Sequence, residues 1–452
     1  MNLATARPAK RWWRRAALLL VALAALLGGV SACAKGERPA MELVPPRAVE
    51  WRDFLGVNAH FLWFEPARYR QQMDQLQALG LQWVRVDLHW DTIEPREGVF
   101  RWDVLDPLMA EIQRRGLKAE VYLVGSAPHA TSAPAGSPHP DQYPPKDPAL
   151  YAKALVLLAQ RYPQVDAWQV WNEPNLPAFW RPREDPAAYG RLLLTSVNAM
   201  RTGAPGRQVV LGGMGYFSQM PTRGGGLMVE ELAKGGLYSL DVITAYHPYS
   251  LYPEGDDPKA MDFILRAQQG NAALRAAGAH AIWADEWGWS SYDGPKEEQP
   301  IIGVQGQADY VTRRLALMSA LDYDKVFLFA LSDLDSRAGA RDRRYGLLDE
   351  RAQPKPVYAA VQRMLRLTGP RITPGTAPTL ATVPPGLVSI AWQREDGRRL
   401  WFFWADAPGQ LQLRGVEHAQ LHDVLGGGVR ALQADAGSLA VPVGTTLSIL
   451  EW

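Results

Sequence analysis

Between Trp51 and Thr368 the chain repeats one pattern eight times, a short apolar run followed by a helical stretch. The apolar runs are 54–62, 83–90, 118–125, 167–173, 208–214, 242–249, 281–287 and 325–334. Short runs of this kind, bounded by Gly, Pro and Asp, read as strands buried on both faces. The stretches between them, 69–79, 104–115, 148–161, 187–200, 227–234, 258–277, 307–321 and 356–367, place apolar residues at helical spacing. Strands joined by helices must run parallel, because each return needs a long crossover. Eight such units in about 320 residues predict a (β/α)₈ (TIM) barrel over 51–368. A doubly wound sheet is the alternative, but no G-x-G-x-x-G follows any strand. After Thr368-Gly369-Pro370 the helical spacing disappears and six short alternating runs follow, starting at Ser389, Arg399, Gln410, Val429, Ser438 and Leu447. They predict a small all-β, sandwich-like domain over 369–452. Packing beside the barrel is its expected role, with sugar binding as the other.

The N-terminus sets the compartment. Arg7, Lys10, Arg11, Arg14 and Arg15 form a basic segment, and an apolar run from Ala16 to Val30 follows. That run has signal-peptide length and is short for a membrane span of about 20 residues. It ends Val30-Ser31-Ala32-Cys33, which resembles the lipobox of bacterial lipoproteins. Residues 1–32 are therefore expected to be a signal peptide, Cys33 the lipidated first residue and 33–50 a Pro- and charge-rich tether. An uncleaved anchor is the alternative. The whole chain has 48 basic and 47 acidic residues. Without the leader's five basic residues, 43 remain against 47, a net charge of −4. Such a surface argues against nucleic acid as a partner and puts membrane attachment on lipid. A lone Cys rules out an internal disulfide framework.

In a barrel of this type the C-terminal ends of the strands face the active site. The fourth run ends Trp171-Asn172-Glu173-Pro174 and the seventh Asp285-Glu286-Trp287. Each sets a carboxylate at the barrel mouth among aromatic residues. Two carboxylates flanking one bond are what glycoside hydrolysis needs, one protonated to release the leaving oxygen and one ionised. A salt-bridged structural role for both is the plainer alternative. Asp87, His89 and Asp285 lack metal-ligand spacing, so hydrogen bonding is expected of them and no metal or organic cofactor is called for.

These motifs resemble those of the clan A glycoside hydrolases, with Asn-Glu-Pro on strand four and a nucleophilic Glu on strand seven. The resemblance implies Glu173 as acid/base, Glu286 as nucleophile and Asn172 as the residue bonding the sugar's 2-hydroxyl. It assigns Tyr249, in His247-Pro248-Tyr249, to hydrogen-bond Glu286, and Arg85 to steady that carboxylate. The segments FLGVNAHFLWF, RYPQVDAWQVWNEPNLPAFWRP and IWADEWGWSSYDGPKE are similar to family 39-type enzymes, in particular to endo-acting enzymes of biofilm polysaccharide. His247 alone reads equally well as a satisfied core histidine, and Arg85 as a structural partner of a barrel carboxylate.

Seventeen Trp residues are many for this length. Trp83, Trp102, Trp168 and Trp283 lie within elements and are expected in the core. Trp63, Trp90, Phe179, Trp180, Tyr216, Tyr249, Trp287 and Trp289 fall at or after strand ends, where flat rings stack on sugars. About half of them are expected in a cleft, and a row of rings favours a polymer and endo cleavage. The reading is thus a retaining endo-glycoside hydrolase of an extracellular polysaccharide. An exo-acting β-glycosidase of xylosidase or iduronidase type, or an envelope lipoprotein that binds polysaccharide without cutting it, are the alternatives.

Overall fold

The computed structural model describes residues 38–215, 228–295 and 300–452. Cys33, the leader and Tyr216 lie outside the described residues. Among those described, no helix is long and apolar enough to cross a membrane. Residues 40–452 form one compact unit.

Its centre is a closed barrel of parallel strands: β3 (Leu55–Asn58), β4 (Trp83–His89), β5 (Lys118–Val124), β6 (Ala167–Val170), β7 (Gln208–Leu211) continued by β8 (Met214–Gly215), β9 (Thr244–His247), β10 (Ile282–Trp287) and β11 (Lys325–Leu328). Closure comes from β11 against β3, with Val326 opposite Leu55. The fifth strand is interrupted at Gly212-Gly213, yet both its parts reach β9, through the Val210–Ile243 bridge and Met214 opposite Tyr246. Eight helices cover the strands: α1 (Pro66–Ala78), α2 (Trp102–Arg114), α3 (Pro148–Arg161), α4 (Pro186–Gly203), α5 (Met228–Lys234), α6 (Asp262–Ala276), α7 (Gly303–Ser319) and α8 (Pro356–Thr368). The starts of α3 and α4 are written locally: Asp147 and Asp185 accept from the Ala149 and Ala188 amides, and a proline follows each cap.

The barrel interior is layered. At the N-terminal ends of the strands Trp83 meets Trp283 and Phe327 edge to face, and those two meet at a tilt, all with centroids about 6 Å apart. Trp168 is fully buried as well. Trp102 is half-buried, stacked on Phe100 with centroids 4.7 Å apart. Above the aromatic plug the inward positions turn polar, which is where the site begins.

The C-terminal region is a two-layer sandwich. A three-stranded sheet joins β13 (Thr379–Leu380), β16 (Gly409–Arg414) and β19 (Ser438–Val443). The larger sheet contains β12 (Arg371–Pro374), β14 (Val388–Arg394), β15 (Arg399–Trp404), β17 (His418–Asp423), β18 (Val429–Gln433) and β20 (Ser448–Glu451). Its strand β15 is buried on both faces. Trp401 and Phe403 meet the smaller sheet's Leu411 and Val441, while the alternate Phe402 and Trp404 join the core shared with the barrel.

The tether expectation is corrected in part. β1 (Met41–Leu43) pairs parallel with β14, and β2 (Val49–Glu50) antiparallel with β12, so both belong to the larger sheet. Leu43 and Val49 are buried there, and this apolar burial holds a stretch whose prolines suggested a linker.

Candidate active site

The site begins with Arg85, the third residue of β4, whose guanidinium is fully buried in the polar layer of the barrel. A buried guanidinium must fill its donors, and this one does. Nη1 donates to Asn58 Oδ1 at 2.7 Å and Glu286 Oε2 at 3.0 Å. Nη2 donates to Asn172 Oδ1 at 2.7 Å and Gln169 Oε1 at 2.8 Å, and Nε reaches the same Gln169 oxygen at 3.0 Å. Its plane lies over the Tyr122 ring, 4.0 Å from the centroid. Burial alone would ease the proton off, but Asp285, Tyr122 and Glu286 outweigh it and keep Arg85 firmly cationic.

Glu286 is the fifth residue of β10 and points into the barrel mouth. Its second oxygen accepts from the Tyr249 hydroxyl at 2.8 Å. Burial, reinforced by Glu286, pushes the Tyr249 hydroxyl well up, so it stays a donor. Glu173 follows β6 across a tight turn in which Trp171 (φ 74°) and Glu173 (φ 43°) both take left-handed backbone. For non-glycine residues that conformation needs external support. The Glu173 amide donates to Gly213 O at 2.9 Å, Trp171 N to the Tyr151 hydroxyl at 2.9 Å, and Tyr189 OH to Val170 O at 2.9 Å.

His247, the last residue of β9, joins the two carboxylates. Its Nδ1 is 2.7 Å from Glu173 Oε1 and 3.8 Å from Glu286 Oε2, and its Nε2 lies 3.4 Å from Asp285 Oδ1. Burial would lower its pKa, but Glu286, Asp285 and Glu173 together hold it up at about 10. Asp285 goes the other way. Burial raises it, and His247 and Arg85 bring it below the ordinary carboxylate range. Glu173 is raised, chiefly by burial, with the Glu286 charge adding to this against the pull of His247. Oxygen atoms of Glu173 and Glu286 and a His247 nitrogen all lie within 4.8 Å of one another. Such a trio has the donor types for a metal ion. Here, though, a guanidinium and a hydroxyl already point at the two Glu286 oxygens, a setting suited to an anion, not to a cation's ligand.

The structure thus brings together Glu173, Glu286, Asn172, Arg85, His247 and Tyr249. Glu286 and Asn172 of this group line a cleft of about 500 Å³ with Trp63 and Phe179 on its walls. The other expected platforms are corrected. Trp287 lies at an irregularity in the β10–β11 register, where the consecutive Asp285 and Glu286 both reach Arg85, and it is fully buried in the core. Trp90 opens the turn after β4, donates to Glu94 at 2.6 Å and meets Tyr151 edge-on. Trp180 packs between Trp171 and Tyr189, and Trp289 donates to Ser250 O at 2.9 Å. These four are packing residues, none more than 2% exposed.

Several site residues escaped the sequence reading. Asn58 and Gln169 fix Arg85, and His60, Tyr122 and Phe329 line the cleft. Each lies in or just beyond a barrel strand, and that position was the available signal. Asp87, expected only to hydrogen-bond, does so, with His60 Nδ1 at 3.0 Å and a contact to His89 at 3.5 Å. Burial alone would raise its carboxyl, but the two imidazoles take it well below the usual range.

A glycoside hydrolase family 42 model, described as beta-galactosidase, matches residues 61–144. No curated protein matches the sequence. Among solved structures, a family 39 glycoside hydrolase from Bacteroides cellulosilyticus WH2 is 19% identical. It covers 90% of this chain and 82% of its own, with a TM-score of 0.67. A monomeric beta-xylosidase from Caulobacter crescentus CB15 is 16% identical over 91% and 99%, with a TM-score of 0.63. A GH30 endoxylanase from Clostridium papyrosolvens C71 is 10% identical over 92% and 99%, with a TM-score of 0.59. The barrel with its C-terminal β domain is the fold these structures share with this chain.

Proposed function

We propose that this chain is a retaining clan A glycoside hydrolase, with Glu286 as nucleophile and Glu173 as acid/base. One observation carries the reading: two carboxyl groups face each other within 4.8 Å in unlike settings. Glu286 receives Arg85 and Tyr249, while Glu173 is buried beside His247 with its pKa raised. Retaining enzymes hold the pair about 5–5.5 Å apart, whereas inverting ones leave room for water at about 6.5–9.5 Å. The fold shared with family 39 and family 30 enzymes supports the same reading.

In the first step a Glu286 oxygen bonds to the anomeric carbon as the C–O bond to the leaving group breaks, and Glu173 passes its proton to that oxygen. In the second, Glu173 takes a proton from water, whose oxygen attacks the anomeric carbon from the face the leaving group had occupied and displaces Glu286. Asn172, fixed by Arg85, takes the 2-hydroxyl in this reading, as the clan resemblance implies. Glu286→Ala should lower turnover at least about a thousandfold, and azide should restore part of it by attacking the vacant face. NMR of the first product released by the unaltered protein should show the starting anomer. Full activity in the variant, or the opposite anomer, overturns the assignment.

The finer reading is endo cleavage of an extracellular matrix polysaccharide, by a protein tethered to the cell envelope through lipid on Cys33. Its support is the lipobox-like leader and the resemblance to the glycosidase of the Psl biofilm exopolysaccharide pathway. A second reading, exo action on chain ends, is favoured by the burial of Trp90, Trp180, Trp287 and Trp289. That burial leaves Trp63 and Phe179 as the expected platforms that line the described cleft. Mid-length oligosaccharides early in digestion identify endo action; monosaccharide from the start identifies exo.

A further inference from the structure

Arg314, in α7, is fully buried, and among the described residues no carboxylate lies within ion-pair distance of it. Burial brings its pKa down to about 9. A guanidinium taken out of water without a counter-charge is costly unless its donors are filled. Among the described residues its acceptors all belong to one segment, the turn that follows β9. Nη1 donates to Pro248 O at 2.8 Å, Nε to Pro253 O at 2.8 Å, and Nη2 to Tyr252 O at 3.1 Å and to the Ser250 hydroxyl. Its flat face lies 3.5 Å from the centre of the Phe263 ring. Trp289 grips the same turn through Ser250 O. Tyr249, which donates to Glu286, sits between the first two anchored residues.

The far end of this turn is held from the other domain. Glu254 is only 2% exposed, and its Oε1 accepts from Trp404 Nε1 at 2.8 Å. Trp404 ends β15 of the large C-terminal sheet. Arg313, the neighbour of Arg314 on α7, donates to the same Glu254 oxygen and is itself braced by Asp309 at 2.8 Å. Two successive arginines of one helix therefore fasten both halves of the turn, and an indole from the β domain closes the second fastening.

We infer that the C-terminal β domain helps to align the nucleophile: Trp404, acting through Glu254, and Arg314 are positioning residues for the turn that carries Tyr249 to Glu286. The inference rests on the glycosidase reading above. It gives the β domain a part in the chemistry without requiring it to touch sugar. A misplacement of about 1 Å at a reacting group can cost up to about a hundredfold in rate.

The test is a double-mutant cycle in the full chain with Trp404→Phe, which keeps the ring packing and removes the N–H, and Tyr249→Phe. The probe is whichever of 4-nitrophenyl β-xyloside, β-glucoside, β-galactoside and xylan the unaltered protein cleaves fastest. Trp404→Phe should lower kcat about tenfold with KM little changed and move the acidic limb of the pH profile upward, and Arg314→Lys should do the same. In the Tyr249→Phe background Trp404→Phe should cost less than about a further twofold, because the route through Tyr249 is already cut. Deuterium exchange of the 248–256 amides, which needs no substrate, should quicken in both positioning variants. Multiplicative losses in the cycle, unchanged kcat, or unchanged exchange overturn the inference. If Glu286→Ala is fully active, the glycosidase reading itself fails; if it is inactive and the cycle is multiplicative, only the positioning role fails.

Discussion

His247 Nδ1 lies 2.7 Å from Glu173 Oε1, so the carboxyl proposed as acid/base shares its proton environment with a buried imidazolium. This contact acts on Glu173 in a definite direction. Burial raises the Glu173 pKa and the His247 charge lowers it, which keeps the carboxyl from being trapped as a permanent acid.

Removing that charge should therefore shift the basic limb of activity. A general acid loses function as pH rises through its pKa. His247→Asn withdraws the influence that lowers Glu173, so its pKa rises and the basic limb of kcat/KM moves to higher pH. The second step, in which Glu173 must act as base, slows at neutral pH. A pH–rate profile of both proteins checks this, and a basic limb that stays put or moves downward contradicts the assignment of the acid.

Gly213 gives a second handle on the same imidazole. A Cβ at this position would lie 2.1 Å from His247 Nε2 and 2.8 Å from Asp285 Oδ2. Gly213→Ala should displace His247, lower kcat/KM by about a hundredfold and cost about 1–3 kcal/mol of stability. Urea unfolding together with kinetics would measure the two effects. A fully active Gly213→Ala protein would mean that the close approach has no bearing on the chemistry.

The two tryptophan groups should separate cleanly by phenotype. Trp180→Ala empties a packed site between Trp171 and Tyr189 and should cost about 3–5 kcal/mol. Trp63→Ala, at the half-buried cleft wall, should raise KM for an oligosaccharide while leaving the melting temperature nearly unchanged. Calorimetry and steady-state kinetics on both variants decide the matter.

How far the sequence carried this picture depended on periodicity. The eight strands and their helices were readable because each is a local apolar pattern, and Glu173 and Glu286 because each ends such a run. The strand ends blurred where function intervenes. The fourth run was read to Glu173, but regular pairing stops at Val170, and Trp171 and Glu173 beyond it adopt left-handed backbone. The ring platforms were misread because proximity to a strand end says nothing about which face a side chain takes. Trp287 is adjacent to Glu286 yet is fully buried in the core. β17 was missed because His418-Ala419-Gln420-Leu421-His422-Asp423 is mostly polar and gains its place from pairing with β18 and β20. Asn58 and Gln169 were unreadable singly, since their role exists only once Arg85 is buried between them.

The anchoring proposal has its own test. Cys33→Ser should abolish incorporation of a labelled fatty acid and release the protein from the membrane fraction with its hydrolytic activity intact. Retention of the variant in the membrane would favour the uncleaved hydrophobic leader as the anchor.

The pairing of β1 with β14 and of β2 with β12 joins residues separated in sequence by more than three hundred positions. The barrel is thus an insertion within a sheet whose strands begin before it and resume after it. A chain cut at residue 368 would yield a barrel still carrying two orphaned strands, and a β domain with the matching edges bare. The sheet cannot be completed until the last strands have been synthesised, so its N-terminal strands must wait unpaired while the barrel emerges. The seam between the domains is therefore a poor place to divide the protein, and the two should lose their structure in a single transition.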